Sequence, residues 1–271
     1  MPELPEVETT RSGIEPHLLR QTITRVIVRN RKLRWPVPAN LSSELRQQCV
    51  NTVSRRGKYL LLGFDNGSLI IHLGMSGSLR ILPVQTPAEK HEHVELQLSS
   101  GDCLRLRDPR RFGCVLWTRH DPLKHKLLAT LGPEPLLADF DGDYLYARSR
   151  NRKQAIKSFI MDSKIVVGVG NIYASEALFL AGIHPQRAAG RIADKRYQQL
   201  ATVIKKVLAA AIRQGGTTLR DFTASDGSPG YFKQQLNVYG RATEACPNCG
   251  QPIHQLTIAQ RASYYCPACQ K

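Results

Sequence analysis

The sequence predicts an α+β protein of more than one domain. An N-terminal helix and an antiparallel β-sandwich precede a helical region that ends in a cysteine-rich hairpin. Three observations predict this class. Between residues 22 and 117, short segments are either rich in β-branched and apolar residues or alternate apolar with polar ones, as strands do. From about residue 141 onward, apolar residues recur at helical spacing instead. Four of the seven cysteines lie within residues 246–271.

The first half of the chain predicts one helix followed by a series of strands. Val7, Ile14 and Leu18 recur at helical spacing among polar residues, which predicts an amphipathic helix from Pro5 to about Leu19. Strands are then predicted at TITRVIV, KYLLLGF, SLIIHL, HVELQL, CLRLRD and FGCVLW. Turn sequences at residues 65–67 and 99–102 join neighbouring segments into hairpins. We expect two packed sheets with the helix lying on them.

The second half is predicted to be helical. A stiff stretch at Leu131–Pro135 is the predicted linker. Helical periodicity follows in residues 141–162, 171–183 and 197–215, and glycines at 182 and 215–216 stand where they would end the last two helices. The predicted domains are residues 1–130, a β-sandwich domain; 131–240, a helical domain; and 241–271, a zinc finger.

The charge predicts a polyanionic partner. Lys and Arg total 38 against 22 acidic residues, so the net charge is +16 and the isoelectric point about 9.8. The excess is concentrated in four clusters at residues 29–34, 55–58, 105–111 and 148–157. Repeated basic clusters favour nucleic acid, because each neutralised phosphate releases counterions.

Nothing in the sequence predicts a membrane partner. Mean hydropathy is −0.30, and no apolar run reaches the roughly 18–20 residues that a membrane span requires. Glu3, Glu6 and Glu8 stand where a signal peptide would carry basic residues. We therefore expect a cytoplasmic protein. The sequence has no oligomerisation signature, so a monomer is expected.

The C-terminal cysteines form a metal-binding pattern. CPNCG and CPAC place two C-x₂-C pairs with sixteen residues between Cys249 and Cys266, and the four ligands are Cys246, Cys249, Cys266 and Cys269. This spacing is typical of a tetrahedral Cys₄ zinc site. A closed Cys₄ shell leaves no open position for water, so one structural Zn²⁺ without a catalytic role is predicted. Its binding should be coupled to folding of this short segment.

Several loops have more than one interpretation. Met75 lies among small residues in HLGMSGSLR, where a buried and a protruding methionine are both open. Arg110 and Phe112 in DPRRFG pair a cation with an aromatic ring, as wedges into nucleic acid do. Gly168 and Gly170 precede a helix start that would favour a phosphate. The glycine-rich residues 214–232 are either a loop over a site or an ordinary surface loop.

The opening MPELPEVET also has two interpretations. Removal of Met1 would expose the secondary amine of Pro2, and an α-amino group titrates near 7.7–8.0, against about 10.4 for lysine. Such an amine can attack the C1′ carbon of deoxyribose and form a Schiff base. Glu3 could then supply a proton, and Lys58 is a candidate acid–base group. Alternatively, Pro2 and Glu3 simply begin a chain whose helix follows.

Together these stretches resemble the bacterial formamidopyrimidine-DNA glycosylases over essentially the whole chain. The matching motifs are MPELPEVET, RRGKYLLL, IIHLGMSGSLR, DPRRFG, LGPEP, VVGVGNIYASEALF, GGTTLRDF, SDGSPGYF, YGR and CPNCG…QRASYYCPAC. The resemblance implies a bifunctional glycosylase and lyase that acts on duplex DNA containing oxidised purines or abasic sites. It also implies a helix–two-turn–helix element in the helical domain and a site in the cleft between domains.

The resemblance implies roles for individual residues. Pro2 would be the Schiff-base nucleophile, Glu3 the general acid in base release, and Lys58 the proton donor for β-elimination. Arg261 would serve the following δ-elimination. The implied DNA contacts are His91, Arg110, Arg152, Lys157 and Asn171, with Met75, Arg110 and Phe112 filling the gap left by a flipped nucleotide. Many relatives carry lysine at the position of Arg152, and residues 217–232 resemble the flap over the extruded base.

Two other functions stay open at this stage. A sister family, similar to endonuclease VIII, excises oxidised pyrimidines and shares the proline–glutamate start and the zinc hairpin. It typically has PEGPE where this chain has Leu4 in PELPE, which favours the purine enzyme. The second alternative is a DNA-binding zinc protein without enzymatic activity, which would have no use for a free proline amine.

Overall fold

The structure is a computed structural model that describes residues 2–215 and 236–271. The chain divides into two compact units. Residues up to Thr130 belong to the first unit, and Leu131–Gln214 together with the described residues from 236 onward belong to the second. The three predicted domain ranges stay a prediction.

The first unit contains helix α1 (Leu4–Leu18) and two four-stranded antiparallel sheets. One sheet has the order β1-β6-β7-β5, formed by β1 Ile23–Val28, β5 Ser78–Pro83, β6 Glu92–Leu98 and β7 Asp102–Arg107. The other has the order β2-β3-β4-β8, formed by β2 Thr52–Arg56, β3 Tyr59–Phe64, β4 Gly67–His72 and β8 Cys114–Thr118. A short helix α2 (Leu41–Leu45) and a 3-10 turn (Pro122–Lys124) lie in connections. The predicted N-terminal helix and antiparallel sheets are confirmed.

Apolar side chains of α1 and of both sheets form one core in this unit. The buried members include Val7, Ile14, Leu18, Leu60, Leu62, Leu69, Ile71, Val94, Leu96, Leu104 and Leu106. The three from α1 are those whose helical spacing predicted the helix. Burying a leucine or isoleucine side chain contributes about 1.5–3 kcal/mol, so this core holds α1 firmly on the sheets.

Two strands have no clear signal in the sequence. Strand β2 contains two arginines in five residues, and β5 follows a glycine and serine segment and ends at Pro83. Each lies at the edge of its sheet, where charged residues and proline are tolerated because one side of the strand has no ladder to complete. Pairing with the neighbouring strand, rather than local propensity, therefore defines both.

The second unit contains four described helices and a two-stranded hairpin. The helices are α3 Gly142–Ser149, α4 Ile156–Met161, α5 Asn171–Leu180 and α6 Asp194–Arg213, and the hairpin is β9 His254–Ile258 with β10 Arg261–Tyr265. A 3-10 turn lies at Ala189–Arg191. The glycines predicted to end two helices are confirmed, since Gly182 and Gly215 follow α5 and α6 with φ of +66° and +79°. Within the described residues, no helix is both long and apolar enough to span a bilayer.

The helical periodicity of residues 141–162 belongs to two helices rather than one. The chain leaves helical geometry after α3, and Asn151 has a φ of +62°. The intervening segment bonds elsewhere: Ile156 N donates to Arg187 O at 2.7 Å, and Ala189 N donates to Gln154 O at 2.9 Å. These long-range hydrogen bonds replace the intrahelical ones in this segment. The spacing of apolar residues in the sequence does not predict them.

Candidate active site and nucleic-acid interface

The predicted nucleophile and general acid stand at the start of α1. Glu3 is the N-cap residue, and its backbone N–H donates to the Glu6 carboxylate at 2.8 Å in a reciprocal capping box. Pro2 is buried, Glu3 is 2% exposed, and Glu6 is fully buried. Carboxylates are stabilised at a helix N-terminus by the helix dipole. Pro2 and Glu3 are therefore fixed by a capped helix.

Lys58 occupies a tight turn in the same unit. Arg56 pairs with Tyr59, so Gly57 and Lys58 form a two-residue hairpin between β2 and β3. Gly57 has a φ of +58°, as the first residue of a type II′ turn requires. The half-buried Lys58 side chain is thus carried by a short, constrained turn beside α1, which packs against both strands.

His72 ends β4 next to this turn. It pairs with Tyr59, and the two rings lie 4.7 Å apart. Burial and the positive charges of Lys58 and Arg34 lower the pKa of His72 to about 4. Its Nδ1 accepts the Gly74 N–H at 2.9 Å, so the neutral ring carries its proton on Nε2. His72 therefore connects the turn that carries Lys58 with the loop that carries Met75.

The loops of Met75 and Phe112 lie backbone against backbone. A Cβ on Gly74 would stand 2.5 Å from the carbonyl carbon of Phe112, and one on Gly113 would stand 2.5 Å from His72 O. Only glycine permits this approach. Met75 is 40% exposed and Phe112 is 43% exposed. The interpretation of Met75 as a buried core residue is wrong, since two neighbouring loops present both side chains at the surface of the unit.

Asp108 organises the DPRRFG turn, a role that the sequence analysis did not identify. It is fully buried, and its carboxylate accepts the N–H groups of Arg111 at 3.1 Å and Gly113 at 2.8 Å. Its carbonyl oxygen lies 2.9 Å from His93 Nε2. The available signal was aspartate followed by proline with glycine five residues on, a pattern that favours a side chain-capped turn.

The same aspartate links His91 to this turn. Asp108 N donates to His91 O at 3.0 Å, and His91 adopts a φ of +74°. Partial desolvation and the positive charges of Lys90 and Arg107 lower the pKa of His91, which favours the neutral ring. The Arg110 guanidinium lies 4.8 Å above the ring of Phe112. The structure thus brings four predicted DNA contacts together in the first unit: Met75, His91, Arg110 and Phe112.

In the second unit, Lys157 and Asn171 both bind the C-terminal hairpin. Lys157 Nζ donates to Ser263 Oγ at 2.8 Å and to Ala262 O at 3.2 Å, and Asn171 Nδ2 donates to the same carbonyl at 3.0 Å. Lys157 is only 1% exposed. Together with Arg261 it lines a cavity of about 220 Å³ between α4 and the hairpin. These three predicted site residues therefore meet in one place.

Arg152 lies in the exposed segment between α3 and α4. Arg152 N donates to Ser149 O at 3.0 Å, and Gly190 N donates to Arg152 O at 2.9 Å. A Cβ on Gly190 would lie 3.0 Å from that carbonyl, tighter than an ordinary contact. The backbone that carries Arg152 is thus held on both sides.

Glu176 is a further residue that the sequence analysis did not identify. It is 3% exposed and accepts four N–H donors at 2.8–3.0 Å: the backbone N–H groups of Asn237, Val238 and Tyr239, and Asn237 Nδ2. A buried carboxylate persists only when it is bonded in this way. The available signal was a lone glutamate inside the apolar helix NIYASEALFL.

The four C-terminal cysteines converge as predicted. Their Sγ atoms all lie within 4.8 Å of one another, with Cys246 and Cys269 at 3.9 Å and Cys249 and Cys266 at 3.5 Å. Tetrahedral zinc with Zn–S bonds of about 2.3 Å places its sulfur atoms about 3.8 Å apart, so the cluster fits a structural zinc. The hairpin turn has positive φ at Ala259 and Gln260, and the exposed Arg261 follows at once.

The predicted flap, residues 217–232, lies outside the described residues.

Three family models match successive parts of the chain. Residues 1–115 match the family model described as "Formamidopyrimidine-DNA glycosylase N-terminal domain". Residues 131–223 match "Formamidopyrimidine-DNA glycosylase H2TH domain", and residues 244–271 match "Zinc finger found in FPG and IleRS". The chain is 59% identical to the formamidopyrimidine-DNA glycosylase of Stutzerimonas stutzeri and 60% identical to that of Syntrophotalea carbinolica, in each case over 100% of both chains.

Solved structures show the same fold. A mutant FPG of Lactococcus lactis in complex with Fapy-dG-containing DNA aligns with a TM-score of 0.93 at 34% identity over 100% of both chains. The L. lactis Fpg complex with abasic-site DNA aligns at 0.92 and 34% identity over 99% of both chains. The MutM (FPG) protein of Thermus thermophilus aligns at 0.89 and 35% identity, covering 99% of this chain and 98% of that one.

The half-buried, neutral state of His72 predicts a pH dependence of stability. The pKa of His72 is about 4 in the folded chain and about 6.5 in the unfolded chain. Its contribution to the free energy of unfolding is therefore complete above pH 6.5. This contribution is lost as the pH falls from about 6.5 towards 4, because only the unfolded state then binds the proton. NMR titration of His72 should show a transition only near pH 4. The His72→Gln variant should have a shallower loss of unfolding free energy over this range, and titration of His72 near the ordinary value would contradict the prediction.

Proposed function

This chain belongs to the formamidopyrimidine-DNA glycosylase family, and on that premise we propose that it excises oxidised purines from duplex DNA and then cleaves the strand. The observation that carries this proposal is the capped start of α1, which fixes Pro2 and Glu3 within the unit that also carries Lys58. A protein that only bound DNA would have no need of a buried, ordered N-terminal proline. The proposed substrates are oxidised purines such as 8-oxoguanine and formamidopyrimidines, and abasic sites.

Base release uses Pro2 and Glu3. After removal of Met1, the secondary amine of Pro2 attacks C1′ of the damaged nucleotide, and the N-glycosidic bond breaks. The proton lost by the amine passes to the departing base, Glu3 donates a proton to O4′ of the sugar as general acid, and the C1′–O4′ bond breaks, which leaves a cationic Schiff base between Pro2 and the opened sugar.

Strand cleavage follows from the Schiff base. Loss of a C2′ proton breaks the C3′–O bond, and the 3′ phosphate leaves in β-elimination, with Lys58 as the proposed proton donor. Arg261 is proposed to serve the δ-elimination that releases the 5′ phosphate. The exposure of Arg261 next to the hairpin turn supports this role, because its guanidinium can form two hydrogen bonds to a phosphate.

DNA binding is proposed to involve residues of both units. Extruding a nucleotide costs a few kcal/mol of stacking, and side chains that fill the vacated space offset this cost. The exposed Met75 and Phe112, with Arg110 stacked on Phe112, support this wedge role. His91, Arg152, Lys157 and Asn171 are the proposed contacts to the DNA backbone, and phosphate binding by Lys157 would compete with its bonds to the hairpin.

The four cysteines are proposed to hold one Zn²⁺ per chain. In a closed Cys₄ shell the metal would supply no catalysis; Cys246, Cys249, Cys266 and Cys269 would hold it and would thereby fix the hairpin that carries Arg261. We further propose that the protein works as a cytoplasmic monomer without a membrane partner.

Metal analysis tests the zinc proposal. We expect one zinc per chain by mass spectrometry under native conditions, and loss of the metal in the Cys266→Ser variant. Because folding of a structural zinc segment depends on its metal, hydrogen exchange should then increase in residues 244–271. The residues before 130 should stay protected. A chain that binds no zinc, or whose C-terminal amides are unaffected by its removal, would contradict the proposal.

Covalent trapping tests the nucleophile. Borohydride reduction during reaction with 8-oxoguanine duplex should give a covalent protein–DNA complex, because it reduces the Schiff base to a stable amine. Mass spectrometry should place the DNA on the N-terminal peptide at Pro2. Chemical blocking of the N-terminal amine is the control and should abolish trapping. Failure to trap, or an adduct that survives blocking, would exclude this mechanism.

Comparison of two duplexes tests the lesion class. The protein should cleave 8-oxoguanine duplex faster than thymine-glycol duplex under single-turnover conditions. Leu4, whose side chain is fully buried in the first turn of α1, stands where the pyrimidine-specific sister family carries glycine. A preference for thymine glycol would instead favour the endonuclease VIII-like function.

A further inference from the structure

We infer that Arg55 is a positioning residue for the lyase step, because it connects the turn that carries Lys58 to α1, the helix that Glu3 caps. This inference rests on the proposed function, since it assigns Arg55 to the step in which Lys58 donates its proton. Arg55 lies in β2, and its side chain is 12% exposed. It reaches two elements at once, and both contacts lie within the first unit.

The first contact is with α1. Arg55 Nε donates to Glu8 Oε2 at 2.8 Å, and the other oxygen of the same carboxylate, Glu8 Oε1, accepts from Arg11 Nε at 2.7 Å. The Glu8 side chain is 19% exposed, so this ion pair is largely shielded from solvent. Arg11 also binds Glu15 at 2.7 Å. Glu8 is therefore held in place from both sides, and Arg55 is anchored to a fixed point on α1.

The second contact is with the turn. Arg55 Nη1 donates to Gly57 O at 2.9 Å. That carbonyl belongs to the peptide group that links Gly57 to Lys58, so its orientation sets the direction in which the chain enters Lys58. Gly57 has a positive φ, and glycine has the widest range of allowed backbone angles. The turn alone would therefore hold this peptide group only weakly in one orientation. The bond from Arg55 restrains that peptide group.

Only arginine makes this bridge from one side chain. Its guanidinium is planar and presents several N–H donors in a fixed fork, so Nε and Nη1 can point to Glu8 and Gly57 in a set relation. A lysine carries a single ammonium on a flexible stem and would hold the carboxylate or the carbonyl, without the fixed angle between them.

The lyase step makes strict demands on this geometry. Once Pro2 is joined to the sugar, the site of proton donation is fixed relative to α1, and Lys58 must reach it from the β2–β3 turn. Displacement of a catalytic group by about 1 Å can cost roughly 100-fold in rate. The Glu8–Arg55–Gly57 connection holds the turn at a constant distance from α1, and base release, which uses Pro2 and Glu3 at the start of α1, does not depend on it.

The experiment measures the two steps separately in the full-length protein. Base release is followed on 8-oxoguanine duplex, and β-elimination on a duplex that already contains an abasic site. For Arg55→Gln we expect the rate constant of β-elimination to fall roughly 10- to 100-fold, with base release and the yield of borohydride-trapped adduct close to those of the unmodified protein. Arg55→Lys should restore part of the loss, and Glu8→Gln should show a smaller loss of the same step. Arg25→Gln, on the exposed surface of β1, is the matched control for removal of one positive charge.

The outcomes separate this inference from the function on which it rests. An equal fall in base release and β-elimination would make Arg55 a general structural residue and overturn the inference, as would unchanged β-elimination in Arg55→Gln. If Arg55→Gln does not fold, the inference is tested with Arg55→Lys and Glu8→Gln, again by the ratio of the rate constants of β-elimination and base release. If the unmodified protein gives no trapped adduct, the proposed function itself fails, whatever the variants show.

Discussion

The proposed chemistry depends on one constraint, a chain start that does not fray. The first residues of a domain are ordinarily poorly ordered unless something ties them down. Here the capping box between Glu3 and Glu6 closes the first turn of α1, and the buried Leu4 and Val7 hold that turn on the sheets. A nucleophile must stand within about 3–3.5 Å of its target carbon, which a frayed terminus would rarely satisfy. The ordered helix start is thus the feature on which the proposed role of the Pro2 amine depends.

The other side chains of the first unit that are proposed to act on DNA are also carried by restrained backbone. Lys58 stands on a two-residue turn, and Met75 and Phe112 stand on loops whose backbones touch at Gly74 and Gly113. Glycine permits the close approach of the two loops, but it also allows the backbone more conformations. In each case a hydrogen bond between a side chain and the backbone restricts them again. Arg55 bonds the Lys58 turn, His72 bonds the Met75 loop, and Asp108 bonds the Phe112 loop. Short, restrained loops can present exposed side chains to DNA with little loss of conformational entropy on binding.

The second unit uses buried charge to join elements that are distant in sequence. Glu176 binds the segment at residues 237–239, and Lys157 binds the zinc hairpin through Ser263 and Ala262. A buried charge without a partner would destabilise the folded state, so these segments are stable only in the arrangement that brings the partners together. The cysteine cluster adds a metal-dependent restraint at the far end of the hairpin, which places Arg261 on a support that a segment of this length could not provide unaided.

The sequence by itself determined those features that depend on residues close together in the chain. Apolar and alternating segments predicted six of the eight strands of the first unit, and helical spacing predicted α1. The C-x₂-C pairs predicted the zinc site, and the motifs beginning with MPELPEVET predicted the family. Tertiary structure alone decided the edge strands β2 and β5, the break between α3 and α4, and the exposure of Met75. It also decided the partners of Arg55 and Glu176. The physical reason is that these features depend on hydrogen bonds, ion pairs and close packing that local spacing does not encode, and most of them join residues far apart in the sequence.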